Sequence, residues 1–152
     1  MKRFSLALII ILSILMSALA GCNTAAEEMS IDKYSWELTS VQSGPQGDII
    51  AYNAENDGYA SAYPDASPVN IYLSAGDGNF VLTDTTNGKT YEGTYKVIED
   101  KQANVIYEIN LGEHSGYAGV GMTSFHDGSQ TPTLNISIND YALNFHAPAV
   151  SD

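Results

Sequence analysis

Hydrophobic positions along this chain follow two unlike patterns. Residues 4–19 are almost continuously apolar, broken only by Ser5, Ser13 and Ser17. From residue 34 onward apolar residues recur at every second position, the period of half-buried β-strands. Trp36 and Leu38 alternate with Ser35, Glu37 and Thr39. Ile50 with Tyr52, and Ile71 with Leu73, offer two more short strands. Phe80 and Leu82 lead to Asn87-Gly88, which suits a type I′ hairpin because both residues tolerate positive φ. Tyr91, Gly93, Tyr95 and Val97 share the next inward face, and Val105, Tyr107, Ile109 and Leu111 form another alternating set. Residues 117–125 resume as a strand in which Gly116, Gly119 and Gly121 weaken pairing or mark a bulge. Leu134, Ile136 and Ile138 follow and, after the tight link Asn139-Asp140, Tyr141, Leu143 and Phe145 close the series.

Eight or nine strands joined mostly by short turns, with no helical segment after the leader, favour antiparallel neighbours in a meander. A sheet that long curls and closes, which removes its exposed edges. The expected fold is all-β: an antiparallel up-and-down eight- to nine-stranded β-barrel or strongly curled sheet, with a two-sheet β-sandwich as the alternative. An eight-stranded barrel has an interior that side chains can just fill or that can hold one small ligand. The inward candidates are large (Trp36, Leu38, Ile50, Tyr52, Phe80, Tyr91, Tyr95, Tyr107, Ile136, Leu143 and Phe145) and favour a filled one, though both remain open. Residues 54–68, with Gly58, Pro64 and Pro68, read as a long loop. Residues 147–152 read as a loose tail.

The apolar leader changes the picture of where the protein works. Lys2 and Arg3 precede it and small residues follow it, the layout of a secretory signal. Its length also approaches that of a membrane-spanning helix. Leu19-Ala20-Gly21-Cys22 decides between the two, because it resembles the lipobox of bacterial lipoproteins at every position. That resemblance implies a diacylglycerol on Cys22 and cleavage that leaves Cys22 as the N-terminus. The expected organisation is a signal peptide over residues 1–21, a lipidated cysteine and short tether over 22–33, the barrel over 34–146, and the tail. Two or more acyl chains hold a protein stably at a membrane. The protein is then lipid-anchored in the cell envelope, on the outer face of the cytoplasmic membrane or on the outer membrane.

Without the leader, four Lys and no Arg stand against 18 acidic residues, a formal charge of −14. So acidic a chain is a poor partner for nucleic acid or anionic lipid, both of which reward clustered Lys and Arg. Its acid reads as a solvated exported surface. Cys22 is the only cysteine, so once acylated it leaves no thiol for a disulfide and the domain rests on its apolar core. The 131 residues from Cys22 onward suit one domain with a real core.

A second resemblance comes from the strands. Trp36-Glu37-Leu38-Thr39-Ser40-Val41, Gly78-Asn79-Phe80-Val81-Leu82, Tyr91-Glu92-Gly93-Thr94-Tyr95 and Tyr141-Ala142-Leu143-Asn144-Phe145 follow an order similar to that in small lipocalin-like domains of bacterial lipoproteins. The resemblance implies a lipocalin-like β-barrel over about residues 34–146. It also implies one possible role, the carriage of a small apolar ligand.

Motifs for chemistry are sparse. Residues 53–58 are similar to the first half of a calcium loop, but Asn53 stands first and Pro64 takes the twelfth position, where a bidentate Glu is needed. His114, His126 and His146 lack metal-ligand spacing and read as exposed histidines. His126-Asp127 and His114-Ser115 contain triad residue types without a nucleophile elbow. No catalytic residue, metal or cofactor is assigned. Tyrosine is abundant, and most of it suits strands with one wet face. Asp57, Tyr59, Tyr63 and Asp65 lie on the long loop and form the candidate contact surface, where tyrosines could stack on a sugar or a partner protein. The expected function is a non-catalytic binding or interaction module whose partner is an unknown protein or small molecule. A carrier of a small apolar ligand is the alternative, and a hydrolase comes third.

Overall fold

A computed structural model describes residues 29–101 and 104–148. The leader, Cys22 and the end of the tail lie outside the described residues. Ten strands and one helix follow in order: β1 (Trp36–Gln42), β2 (Ile49–Asn53), α1 (Asp57–Ala62), β3 (Ser67–Val69), β4 (Ile71–Gly76), β5 (Asn79–Asp84), β6 (Lys89–Lys101), β7 (Asn104–Leu111), β8 (His114–Ser124), β9 (Gln130–Ile138) and β10 (Tyr141–His146). Strands β4 to β10 form an antiparallel meander. β1 pairs with both ends of it, Trp36 opposite Leu73 on β4 and Leu38 opposite Phe145 on β10. The result is a closed eight-stranded up-and-down barrel, with β2 and β3 added outside it along the second half of β1.

Alternation decides which side of the wall each residue takes. Trp36, Leu38, Leu73, Phe80, Leu82, Tyr107, Ile109, Val120, Leu134, Ile136 and Phe145 meet in one buried cluster inside the barrel. Each such side chain contributes about 1.5–3 kcal/mol by leaving water. Phe80 lies over Gly93 of the neighbouring strand, where a Cβ would collide with its ring and with the Asn110 carbonyl. The glycine therefore makes room for the aromatic.

The packed body starts earlier than expected. Met29 and Ile31, on the stretch read as tether, are buried in the same cluster. The Trp36 indole Nε1 donates to the Ile31 carbonyl at 2.7 Å, and the Ile31 N–H donates to the Tyr107 hydroxyl at 3.1 Å. A short segment lacking alternation can still plug a barrel end when its backbone polar groups find partners. At the other terminus Ala147 is buried and its N–H donates to the Pro132 carbonyl at 3.0 Å, so the tail begins after it.

Other expectations change as well. The stretch 54–68 holds α1 and β3, so the chain after the leader does contain a helix. β3 runs parallel to β2, and parallel neighbours need a crossover, which α1 supplies. Asn87-Gly88 is not a two-residue I′ turn. Asp84 pairs with Lys89 across a four-residue loop, and only Gly88 of the two has positive φ (65°). Asp84 accepts the Asn87 N–H at 3.0 Å and its side-chain amide at 2.7 Å, which draws the loop together. The two-residue turn with both φ positive is Asp77-Gly78, at 52° and 78°. The glycines of β8 mark no bulge: β8 pairs in unbroken register with β7 and β9. Gly116 is required instead by the Ser137 carbonyl, which a Cβ there would strike. The two inward candidates on β2 are not in the barrel, because β2 lies outside it: Tyr52 is buried beside Tyr59, and Ile50, the extra residue of a bulge between β1 and β2, is 39 % exposed. Tyr91 keeps inward parity but sits near the 85–88 loop at the barrel rim and stays 45 % exposed.

Candidate functional site

The largest hollow described lies outside the wall. It is a groove of about 540 Å³ across β1, β10, β9 and β8, and its far bank is formed by β2 and α1. Alternation builds its floor: with Leu134, Ile136 and Phe145 turned inward, Thr133, Asn135, Asn144 and His146 must face out. A bulge between Leu38 and Ser40 in the pairing of β1 with β10 adds to this. It turns both Thr39 and Ser40 into the groove while Leu38 and Val41 stay with the core.

The far bank is fixed by one buried amide. Asn53, at the end of β2, donates to Glu37 Oε1 at 2.9 Å and to the Leu38 carbonyl at 3.0 Å, and accepts the Glu55 N–H at 2.8 Å. That ties the start of the crossover to β1. Tyr59 of α1 then stacks on buried Tyr52 with ring centroids 6.2 Å apart, and on Tyr63 at 5.4 Å. At the opposite end stands Phe125, which lines the groove although it is 52 % exposed. It opens the turn to β9, held by bonds between Phe125 and Ser129 and between Phe125 and Gly128.

Hydrogen bonds within the groove are cross-strand. Thr39 Oγ1 and His146 Nδ1 are 3.0 Å apart, and Asn144 Nδ2 donates to Ser40 Oγ at 3.2 Å. His146 Nε2 lies 4.0 Å from Glu37 Oε2. An imidazole protonated at Nε2, toward the carboxylate, leaves Nδ1 to accept the Thr39 hydroxyl. Thr39, His146 and Glu37 thus contain the residue types of a nucleophile, base and orienter. Glu37 and His146 are also register partners across the β1–β10 seam, so strand pairing alone accounts for their meeting. The carboxylate and the imidazole face each other across that seam at 4.0 Å, beyond hydrogen-bond reach.

Charge divides the site in two. Among the described residues, neither Lys nor Arg lines this groove or the two hollows that join it, one beside Glu37, Glu55 and Asp57, the other over Gly119 and Gly121. The acids gather at the α1 end. There the Tyr72 phenol is held above its ordinary value, by burial first and then by the charges of Glu37 and Glu55. The floor over β8, β9 and β10 is uncharged hydroxyl and amide, apart from His146.

The expected contact residues divide between hollows. Tyr59 enters the main groove, Asp57 lines the acidic end, and Tyr63 and Asp65 face a separate hollow of about 480 Å³ beside Asp48 and Ile49. His146 is no exposed loop histidine but a half-buried strand residue with a partner. His114 also belongs to a strand, as the exposed first residue of β8. Sequence reasoning missed Thr39, Phe125, Thr133, Asn135 and Asn144, and met Asn53 only as the first position of a calcium-like stretch. For Thr133, Asn135 and Asn144 the one signal was the recurrence of Thr and Asn at the polar positions of β9 and β10. Known protein families, curated proteins and solved structures provide no match to the chain, so the site rests on its own geometry.

Proposed function

We propose that this chain is a lipid-anchored, extracytoplasmic lipoprotein of a bacterial cell envelope, a non-catalytic binding module that takes its ligand or partner on the outer-wall groove. The observation that carries this reading is the contrast across the wall. The interior is occupied by Trp36, Tyr107, Phe80 and Phe145, each nearly without exposure, while the outside carries a concave polar surface flanked by Tyr59 and Phe125. A lipocalin-like carrier needs room inside the barrel, where these rings already meet. Ligand sites favour a concave surface with a few convergent polar groups, and aromatic rings dominate recognition at contact surfaces.

The anchor is tested by metabolic palmitate labelling. Wild type should be labelled and partition with membranes, and Cys22→Ala should lose both; a variant that stays membrane-bound would point to an uncleaved helix. The groove is tested by placing a photo-crosslinking residue in living cells at Thr133, on the groove floor, or at Glu108, on the outer face of β7. Adducts confined to position 133 support the reading, and equal or absent adducts overturn it. Native mass spectrometry of the purified protein should find no stoichiometric apolar molecule; finding one would favour the carrier.

A further inference from the structure

The chemistry of the groove specifies more than its position. We propose that the outer-wall groove binds a neutral, polyhydroxylated ligand, a glycan chain, with Phe125 as the stacking platform and Tyr59 bounding the opposite end; this rests on the groove being the binding site. Three observations converge on that ligand class.

First, the floor is built from groups that both donate and accept. Thr123, Thr133, Asn135 and Asn144 present hydroxyls and carboxamides outward. A sugar hydroxyl also donates and accepts, so it can pair with each of them. Some of the floor's bonds are long: the Thr123 and Thr133 hydroxyls are 3.3 Å apart, and Asn144, besides its bond to Ser40, reaches Gln42 at 3.4 Å. Both are long for hydrogen bonds of their kind, so a better-placed hydroxyl can displace them.

Second, the charge is wrong for the other common ligands. With no Lys or Arg on the floor and a formal charge of −14 after the leader, a phosphate or carboxylate would enter a repulsive field. An apolar ligand would leave the floor's amides and hydroxyls without partners, at a cost for each. A neutral ligand rich in hydroxyls meets neither penalty, and its C–H faces suit exposed rings.

Third, the floor extends where the chain itself has no need of the space. Gly119 faces outward between β7 and β9, opposite Asn135 and Ile106, and a Cβ there would meet nothing within 4 Å. Glycine inside a strand weakens it, and unlike Gly93 or Gly116 no packing demands this one. The hollow over Gly119 and Gly121 shares Thr123, Thr133 and Asn135 with the main groove. The four strands span about 14 Å at their usual spacing. That is the reach of an oligosaccharide and more than a single small molecule needs.

The test is an isothermal titration of the mature protein in detergent with two probes, N-acetylglucosamine tetramer and cellotetraose. The first represents the aminosugar backbone of a cell wall and the second a wall-foreign glucan, so the stronger binder identifies the source. Binding of either should weaken by about ten-fold or more in Phe125→Ala, the usual scale for losing an aromatic anchor, and likewise in Gly119→Leu, which fills the floor. Both variants should melt with the wild type, because Phe125 is exposed and the space over Gly119 is open. Glu108→Ala, on a different stretch of wall, should bind as wild type does. Failure of both glycans to bind at millimolar concentration overturns the proposal, as does binding that the two groove variants leave intact. The crosslink at Thr133 separates the two levels. An adduct with a protein keeps the groove as a site and removes the glycan, and no adduct removes both.

Discussion

The two faces of β9 and β10 obey different rules. Inward, Leu134, Ile136, Ile138 and Phe145 are buried against Trp36 and Tyr107, and each is constrained by the volume of its neighbours. Outward, His146 pairs with Thr39, Thr133 with Thr123 and Asn144 with Ser40, cross-strand bonds that strand pairing would permit to many polar residues. One backbone therefore presents a face fixed by packing and a face on which packing makes few demands. The concave shape of the second face comes from the β1 bulge, which lies in the closing β1–β10 pairing, and from the β2–α1–β3 addition, which stands outside the barrel. Polar residues that core packing does not constrain, set beside that addition, are where selection for binding can act.

Breaking the inner face should have the largest effect. Trp36→Ala removes the largest fully buried side chain and the indole bond to the Ile31 carbonyl that seats the plug. It should cost about 3–5 kcal/mol, read as a fall in the denaturant midpoint. A small loss would mean that the plug and core are loosely coupled. Gly93→Ala drives a Cβ into the Phe80 ring, with an expected cost of about 1–3 kcal/mol from overpacking. Combining it with Phe80→Leu should recover part of the loss, and additive losses would place the strain elsewhere.

The seam between the faces should matter less. A double-mutant cycle of Thr39→Val and His146→Ala should give a coupling of about 0.5–1.5 kcal/mol, the range of one hydrogen bond. A coupling near zero would leave the seam to backbone pairing alone. Asp84 provides a pH-dependent probe of an inward position on β5. The Asn87 side-chain amide holds its carboxyl below the usual carboxylate range, burial opposes this, and the Asn87 and Thr86 N–H groups reinforce it. The folded value lies below the unfolded value of about 3.9. The stabilisation is thus fully present above about pH 4 and lost as pH falls through the folded value. Thermal melts across that window should fall less steeply for Asp84→Asn than for wild type, and parallel curves would show that the loop does not feel this carboxylate. Smallest of all, Phe125→Ala on the outer face should shift stability by no more than about 0.5 kcal/mol. A larger shift would give Phe125 a packing role and erase the contrast between the faces.

Alternation alone was enough to read the barrel, because a period of two places every second side chain on the core side and short links leave antiparallel pairing as the simple solution. It identified Trp36, Leu38, Phe80, Tyr107, Ile136 and Phe145 as interior, and all six are buried. Failures occurred where one residue's fate depended on a distant strand. Ile50 was displaced by a bulge against β1, Asn87 was drawn toward Asp84 in a longer loop, and Ile31 was buried by a Tyr107 hydroxyl 76 positions away. Of the expected contact residues, Tyr59 reaches the main groove and Asp57 its acidic end, because α1 sets its stacked tyrosine on β2.

The sequence by itself determined an all-β antiparallel sheet, the large apolar residues of its core face and its strongly acidic character, because these depend on composition and on a local two-residue period. Closure over a filled interior was decided by the tertiary structure. Only the tertiary structure decided that residues from β1, β8, β9, β10 and α1 share one groove. Polar residues on a strand's outer face carry no record of which strand lies beside them. Asn135 meets Asn144 within the β9–β10 hairpin, but the register that unites Thr39 with His146 exists only once β10 has closed on β1.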